Sequence, residues 1–418
     1  MSDAQVEVTT LDNGIRVVTE RMESVRSVTT GFWVGVGARD EADELSGASH
    51  FLEHLLFKGT EQRTAREIAE SVDAVGGEMN AFTTKEYTAY YTRLPATELA
   101  FGLDLLCDVV SAPAFRPGEI DAERQVILEE ILMNEDTPDD RVHTLLFEAL
   151  FPGHPLGREV LGTPETIEAM AREAIADFHG EHYRPTNLVV AAAGDLHHDA
   201  VVEQVAERYP DGAAGEAPVR GAPTGSRQPV AVQTRSTEQV HLALGWPGVD
   251  HHDDDRYALG VANHVLGGGT ASRLFQEVRE ERGLAYAVFS SASSFADSGA
   301  VTVYAGTAPS RVTETLQVIR GVVGDLVATG PTDQEVDVAK GYLEGSLVIG
   351  LEDSGSRMGR LGSNLVIRGE VPPLDEQIER IRAVERDDLR RVIGRVFDEP
   401  PTLAAVGPIS GSDLDLPS

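Results

Sequence analysis

Ser49-His50-Phe51-Leu52-Glu53-His54-Leu55-Leu56-Phe57 holds more reactive chemistry than any comparable run in this sequence. Two histidines four apart on an α-helix differ by about 40° in azimuth, so both rings leave one face and can meet on one metal ion. Glu53 immediately precedes the second histidine, on the same side. Imidazole pairs suit Zn²⁺, and a carboxylate beside an open coordination position can take a proton from water. The competing reading is a helix with two half-buried histidines and a surface glutamate. Phe51, Leu52, Leu55, Leu56 and Phe57 make the helix apolar almost all round, which marks it as buried. Burial obliges its polar groups to find partners, and a metal is one.

Two histidines do not complete a catalytic zinc site, so a third protein ligand is needed. The helix expected over 118–134 offers Glu119, Glu123, Glu129 and Glu130. Glu123 and Glu130 lie about 20° from eclipsed and share a face. One of them can bind the ion while the other accepts a hydrogen bond from a ligand histidine and fixes its tautomer. Periodicity alone does not choose between Glu130 and Glu129.

The surrounding elements suggest an α+β fold made twice. Strand-like alternation at Val6–Thr9 and Ile15–Val18 flanks an Asp12-Asn13-Gly14 turn, and a strand is expected over Ser27–Val36. After the histidine helix come paired strands at Glu78–Thr83 and Glu86–Arg93. Helices at Thr97–Ser111, Pro117–Glu135, Pro138–Leu150 and Thr163–Tyr183, a strand at Asn187–Ala193 and a helix at His198–Tyr209 follow. Residues 211–229 have a linker composition, and the element order then restarts. Two homologous α/β-sandwich-type domains, each a mostly antiparallel sheet with helices, are therefore expected at 1–210 and 230–418. Aligning Glu119-Ile120 with Glu335-Val336 sets Ala339 opposite Glu123 and Ser346 opposite Glu130. Only the first half carries the set, which favours chemistry over fold stabilisation.

Composition excludes several classes. The net charge of −34 argues against nucleic-acid binding, which needs clustered Lys and Arg. No apolar run approaches the roughly 20 residues that span a bilayer. The Met1–Glu7 stretch lacks a signal-peptide pattern, and Cys107 is the sole cysteine, so a cytoplasmic location is expected. His197-His198 and His251-His252 are adjacent pairs whose rings point apart, and neither is expected to hold a metal. Gly267-Gly268-Gly269 lacks the flanking pattern of a phosphate loop.

The run His50–Thr60, then Asn80-Ala81-Phe82-Thr83, then Glu123–Glu130, resembles the pitrilysin/insulinase-type zinc peptidases, the inverzincins. The processing-peptidase branch is the nearest likeness, and the resemblance covers nearly the whole chain. It implies one Zn²⁺ per chain held by His50, His54 and Glu130, with Glu53 as base and Glu123 supporting a ligand. Arg279 and Tyr286, within Ser272–Glu280 and Gly283-Leu284-Ala285-Tyr286, are similar to the family's Arg…Tyr pair that reaches the substrate carbonyl. The resemblance also implies a peptide bound by β-addition at Asn80, Ala81 and Phe82. Asp139 and Asp140 stand where a basic substrate residue is received; Thr144 stands where a second carboxylate would be. The implied protein is a zinc endopeptidase, self-sufficient as a homodimer, acting on peptides or presequence-like segments. The alternative is a non-catalytic subunit of the same fold.

Overall fold

The computed structural model describes residues 6–209, 214, 215, 217–411 and 414. It divides into two compact units, each an α+β layer structure around one sheet. The first unit contains β1 (Val6–Thr10), β2 (Arg16–Arg21), β3 (Ser27–Val34), β4 (Glu78–Thr83), β5 (Thr88–Pro95) and β6 (Leu188–Gly194), ordered β1-β2-β6-β3-β5-β4. All neighbours are antiparallel except β2 and β6. The apolar run Leu188-Val189-Val190-Ala191-Ala192-Ala193 has no polar alternation because β6 is buried throughout. Val190 and Ala192 face a core that includes Phe51, Leu52 and Leu56. Val189, Ala191 and Ala193 face Trp33, Met358, Leu361 and Leu365.

Those last three side chains belong to the helix Ser354–Arg368, from the far end of the chain. A Cβ on Gly362 would stand 2.1 Å from the Trp33 indole, so only glycine lets this helix lie against that ring. Glu20, buried in β2, receives Arg357 and Arg360 from the same helix, and Ser354 shares a 2.8 Å hydrogen bond with Thr29.

The second unit contains β7 (Val230–Thr234), β8 (Val240–Pro247), β9 (Ala285–Ser294), β10 (Gly299–Thr307) and β11 (Thr402–Gly407), ordered β7-β11-β8-β10-β9. Only β7 and β11 run parallel. Here Val142 and Leu146 of the helix Pro138–Leu150 pack on Ala243, Ala404 and Val406 of one sheet face.

The compact units therefore do not coincide with the division at 1–210 and 230–418. Residues 132–158 count with the second unit and 348–371 with the first. The physical reason is the burial just described: each half sends one apolar-faced helix to a sheet of the other half. Of the expected linker 211–229, residues 211–213 and 216 lie outside the described residues; the rest is neither helix nor strand.

Two expected helices also differ. The stretch 163–183 is two helices, Pro164–Ala169 and Arg172–His182, because Met170 and Ala171 are extended. Carbonyls freed at that break accept from the Arg124 guanidinium, which bonds Ile167 and, at 3.0 Å, Met170. The stretch 270–282 widens into a π-helical segment, Phe275–Glu281. Its start is anchored by Arg273, whose guanidinium donates to both Glu335 oxygens at 2.6 and 2.8 Å.

Arg273 holds the Glu335 carboxyl down at about 2, well below its ordinary range. A depressed carboxylate contributes stability above its unfolded-state value and loses it as pH falls through the folded one. Arg273→Met is expected to cost about 2 kcal/mol at pH 7. By urea unfolding, that difference should shrink steadily below about pH 4.5 and nearly vanish by about pH 2.

Candidate metal centre

The helix Ala48–Leu56 is short, and both of its ends are held by tertiary contacts. Gly47 caps it at φ 95, where a Cβ would meet the Leu161 carbonyl at 2.8 Å and Gly162 Cα at 3.0 Å. The buried carboxylate of Glu41 accepts the Gly47 and Ser49 backbone N–H groups, each at 2.7 Å. This places an anion on the positive end of the helix dipole. Phe51, Leu52, Leu55 and Leu56 are buried, and the helix turns its polar residues toward the helix Pro117–Asp136 and the strand β4.

His50, His54 and Glu130 converge. His50 Nε2 and His54 Nε2 lie 3.7 and 3.5 Å from the same oxygen, Oε2 of Glu130. One donor atom from each of the three lies within 4.8 Å of the others, and no other such trio occurs among the described residues. Ligands about 2.1 Å from a tetrahedral zinc stand roughly 3.4 Å apart, so the donor spacing fits the ion. Glu129 is exposed and lies outside this trio.

The support is asymmetric. His54 Nδ1 lies 3.1 Å from Oε2 of Glu123, whose other oxygen is 2.6 Å from Lys58 Nζ. His50 Nδ1 is buried with no hydrogen-bond partner among the described residues. Burial pushes His50 down to about 4, which keeps it neutral and able to donate a lone pair. Burial also works against charge on His54, but Glu130 and Glu123 outweigh it and raise that group. Glu130 is lowered, mainly by its hydrogen bond to His54.

Glu53 faces the strand β4. Its Oε2 accepts the Thr83 hydroxyl at 2.6 Å, and burial raises its proton affinity. β4 is an edge strand, with Asn80 opposite Tyr91, Ala81 opposite Tyr90 and Phe82 opposite Ala89 on its paired side. Asn80 is exposed, and its Oδ1 accepts the Ala81 N–H at 2.8 Å. The Phe82 ring packs edge-on against Trp33, 5.6 Å between centroids, so it serves the interior as well as the edge.

The remaining expected residues belong to the second unit. The Arg279 guanidinium lies over the rings of Phe275 and Tyr286, 4.7 and 4.6 Å from their centroids. Tyr286 is 78% exposed, a conspicuous position for a large aromatic ring. Asp140 is exposed in the first turn of Pro138–Leu150. His198, by contrast, is buried, with its two ring nitrogens 2.8 and 2.9 Å from the Thr9 and Thr19 hydroxyls. Sequence reasoning missed Glu41, Lys58, Thr83, Arg124 and Glu159, the last close enough to bias His50 toward its charged form. None carries a spacing signal, since each acts across a tertiary contact.

A family described as Insulinase (Peptidase family M16) matches residues 16–164, and one described as Peptidase M16 inactive domain matches residues 169–343. An uncharacterized zinc protease of Streptomyces coelicolor is 47% identical over 97% of this chain and 90% of its own. An uncharacterized zinc protease of Bacillus subtilis is 39% identical over 96% of this chain and 97% of its own. The crystal structure of a protease from Helicobacter pylori superposes with a TM-score of 0.89 at 25% identity, covering 97% of this chain and 99% of the other.

Three substitutions separate ligand from support and from bystander. Glu130→Gln is expected to remove tight zinc binding, whereas Glu129→Gln leaves it unchanged in calorimetric titration of the metal-free protein. Glu123→Gln should weaken zinc by about tenfold to a hundredfold, the effect of losing a carboxylate behind a histidine ligand.

Proposed function

The chain belongs to the pitrilysin/insulinase family of zinc peptidases (M16), and on that premise we propose that it is a zinc-dependent endopeptidase cleaving peptides and unfolded or presequence-like segments. The observation that carries this reading is the meeting of His50, His54 and Glu130 on one point, with Glu53 on the next helical position. One ion per chain would be held by those three side chains. Zinc bound there supplies Lewis acidity, lowering the pKa of water to about 7 and polarising a carbonyl.

Glu53 takes the proton from the attacking water and delivers it to the leaving amine. Its raised proton affinity suits both halves of that task. Glu123 accepts from His54 Nδ1, leaving Nε2 with the lone pair a ligand needs. The free edge of β4 at Asn80, Ala81 and Phe82 receives an extended peptide by strand addition. By the family resemblance, Arg279 and Tyr286 hold the substrate carbonyl as charge develops, and Asp140 receives a basic side chain. Their stacking and the exposure of Tyr286 support a role outside the second unit's core.

A non-catalytic subunit of the same fold stays the alternative, and the match to an inactive-domain description leaves it open. That match begins at residue 169, beyond every member of the metal trio. The acidic composition, −34 in net charge, suits basic peptides. A homodimer is the proposed working form, and no helix among the described residues is long and apolar enough to cross a membrane.

Incubating the zinc-loaded chain with a mixed peptide library should yield internal cleavages. Glu53→Gln should keep its zinc and lose at least about a hundredfold in rate. Zinc bound without any peptide cleavage would sink the endopeptidase reading. Arg279→Ala should lower kcat/KM by about a hundredfold. If the dimer shares its sites, mixing Glu53→Gln chains with Arg279→Ala chains should restore cleavage; a mixture as inert as its parts would refute the sharing.

A further inference from the structure

Glu123 and Glu130 are engaged by histidine or lysine nitrogens, whereas Glu53 is held by the Thr83 hydroxyl. An unrestrained carboxylate there could swing toward the ion and become a ligand instead of a base. Its restraint comes from a strand. Thr83 is the last residue of β4, two positions beyond Ala81, so the two side chains share the sheet face that packs under the helix Ala48–Leu56. From that face the Thr83 hydroxyl donates to Oε2 of Glu53 at 2.6 Å.

Thr83 itself is held by an unusually well-anchored hairpin. The next residue, Thr84, accepts the N–H groups of Glu86 and Tyr87 on its hydroxyl, at 3.2 and 3.1 Å. Its carbonyl accepts the Ala38 N–H at 3.1 Å, and the Lys85 carbonyl accepts the Arg39 N–H at 2.7 Å. Arg39 and Glu86 form a 2.6 Å ion pair whose side chains are 2% and 4% exposed. A buried pair of that kind resists rearrangement, because breaking it strands a charge away from water. The hairpin tip is thus a fixed point, and Thr83 extends it to the base.

We infer that Thr83 is a positioning residue for Glu53: its hydroxyl holds one carboxylate oxygen so that the other faces the attacking water. The role rests on the peptidase reading above. It ties the base, carried by the helix Ala48–Leu56, to the strand that forms the peptide-binding edge, so that the strand aligning the scissile bond also aligns the group that activates water. Thr83 touches no reacting atom and acts only through Glu53.

The test compares Thr83→Val, which keeps the shape and the backbone amide, with Thr83→Ser, which keeps the hydroxyl. Thr83→Val should lower kcat by about tenfold to a hundredfold while KM stays within about twofold, the mark of a misplaced catalytic group. Thr83→Ser should recover kcat to within about threefold of wild type. Zinc stoichiometry and thermal midpoint should be unchanged in both. The role is overturned if Thr83→Val matches wild type, if Thr83→Ser is as slow as Thr83→Val, or if Thr83→Val loses zinc or its thermal midpoint together with activity. A wild-type chain that holds zinc and cleaves nothing overturns the peptidase reading itself, and the role with it.

Discussion

Glu123 carries a carboxylate that is 5% exposed, and the geometry of the metal centre follows from how that charge is satisfied. A buried ion persists only when paired and hydrogen-bonded. His54 Nδ1 and Lys58 Nζ supply the two partners, one to each oxygen. Both come from one end of the histidine helix, so Glu123 pins the helix Pro117–Asp136 to that end in a single register. Two turns further along, that register sets Glu130 opposite the His50 and His54 rings. Arg124 reinforces the alignment from the adjacent position, with its guanidinium 5.5 Å from the Phe51 ring centroid and its donors on the carbonyls at Ile167 and Met170.

The same economy governs the histidine helix itself. At nine residues it is shorter than the roughly 12–15 that an isolated helix needs even to be marginally stable in water. Its stability is tertiary: Glu41 satisfies the amino end, and the buried face merges with the sheet core. The helix dipole then runs from an anion at the start to His54 in the last turn, where positive charge is favoured.

Much of this was legible in the sequence where the signal is local. Histidines four apart on an apolar helix reveal a shared face without any partner being known, and strand alternation revealed β4 and β5. Periodicity did not choose between Glu129 and Glu130, which stand about 100° apart on the helix, because the partner face was unknown; the resemblance implied Glu130, whose carboxylate lies opposite the two histidines. The roles of Thr83 and Glu41 lay outside sequence reasoning, although Thr83 stood in the run that carried the resemblance, since a single threonine or glutamate has many bland uses. The exchange of Pro138–Leu150 and Ser354–Arg368 was hidden for a related reason. Each helix is amphipathic in the ordinary way, and nothing in such a pattern says which sheet will bury it. Gly362 becomes meaningful only beside Trp33.

The internal duplication shows how the two kinds of constraint part company. Ile120 and Val336, aligned across the repeat, are 2% and 7% exposed and both apolar: the position is core in each half. Three residues on, Glu123 at 5% is matched by Ala339 at 0%. A position so enclosed tolerates a carboxylate only where cations come to meet it, as His54 and Lys58 meet Glu123. Alanine is what burial alone selects. Seven further on, half-exposed Glu130 is matched by exposed Ser346, where no core demand applies and no metal is held. The first half thus retains a buried charge that packing by itself would remove. Its persistence is explained by the ring it orients.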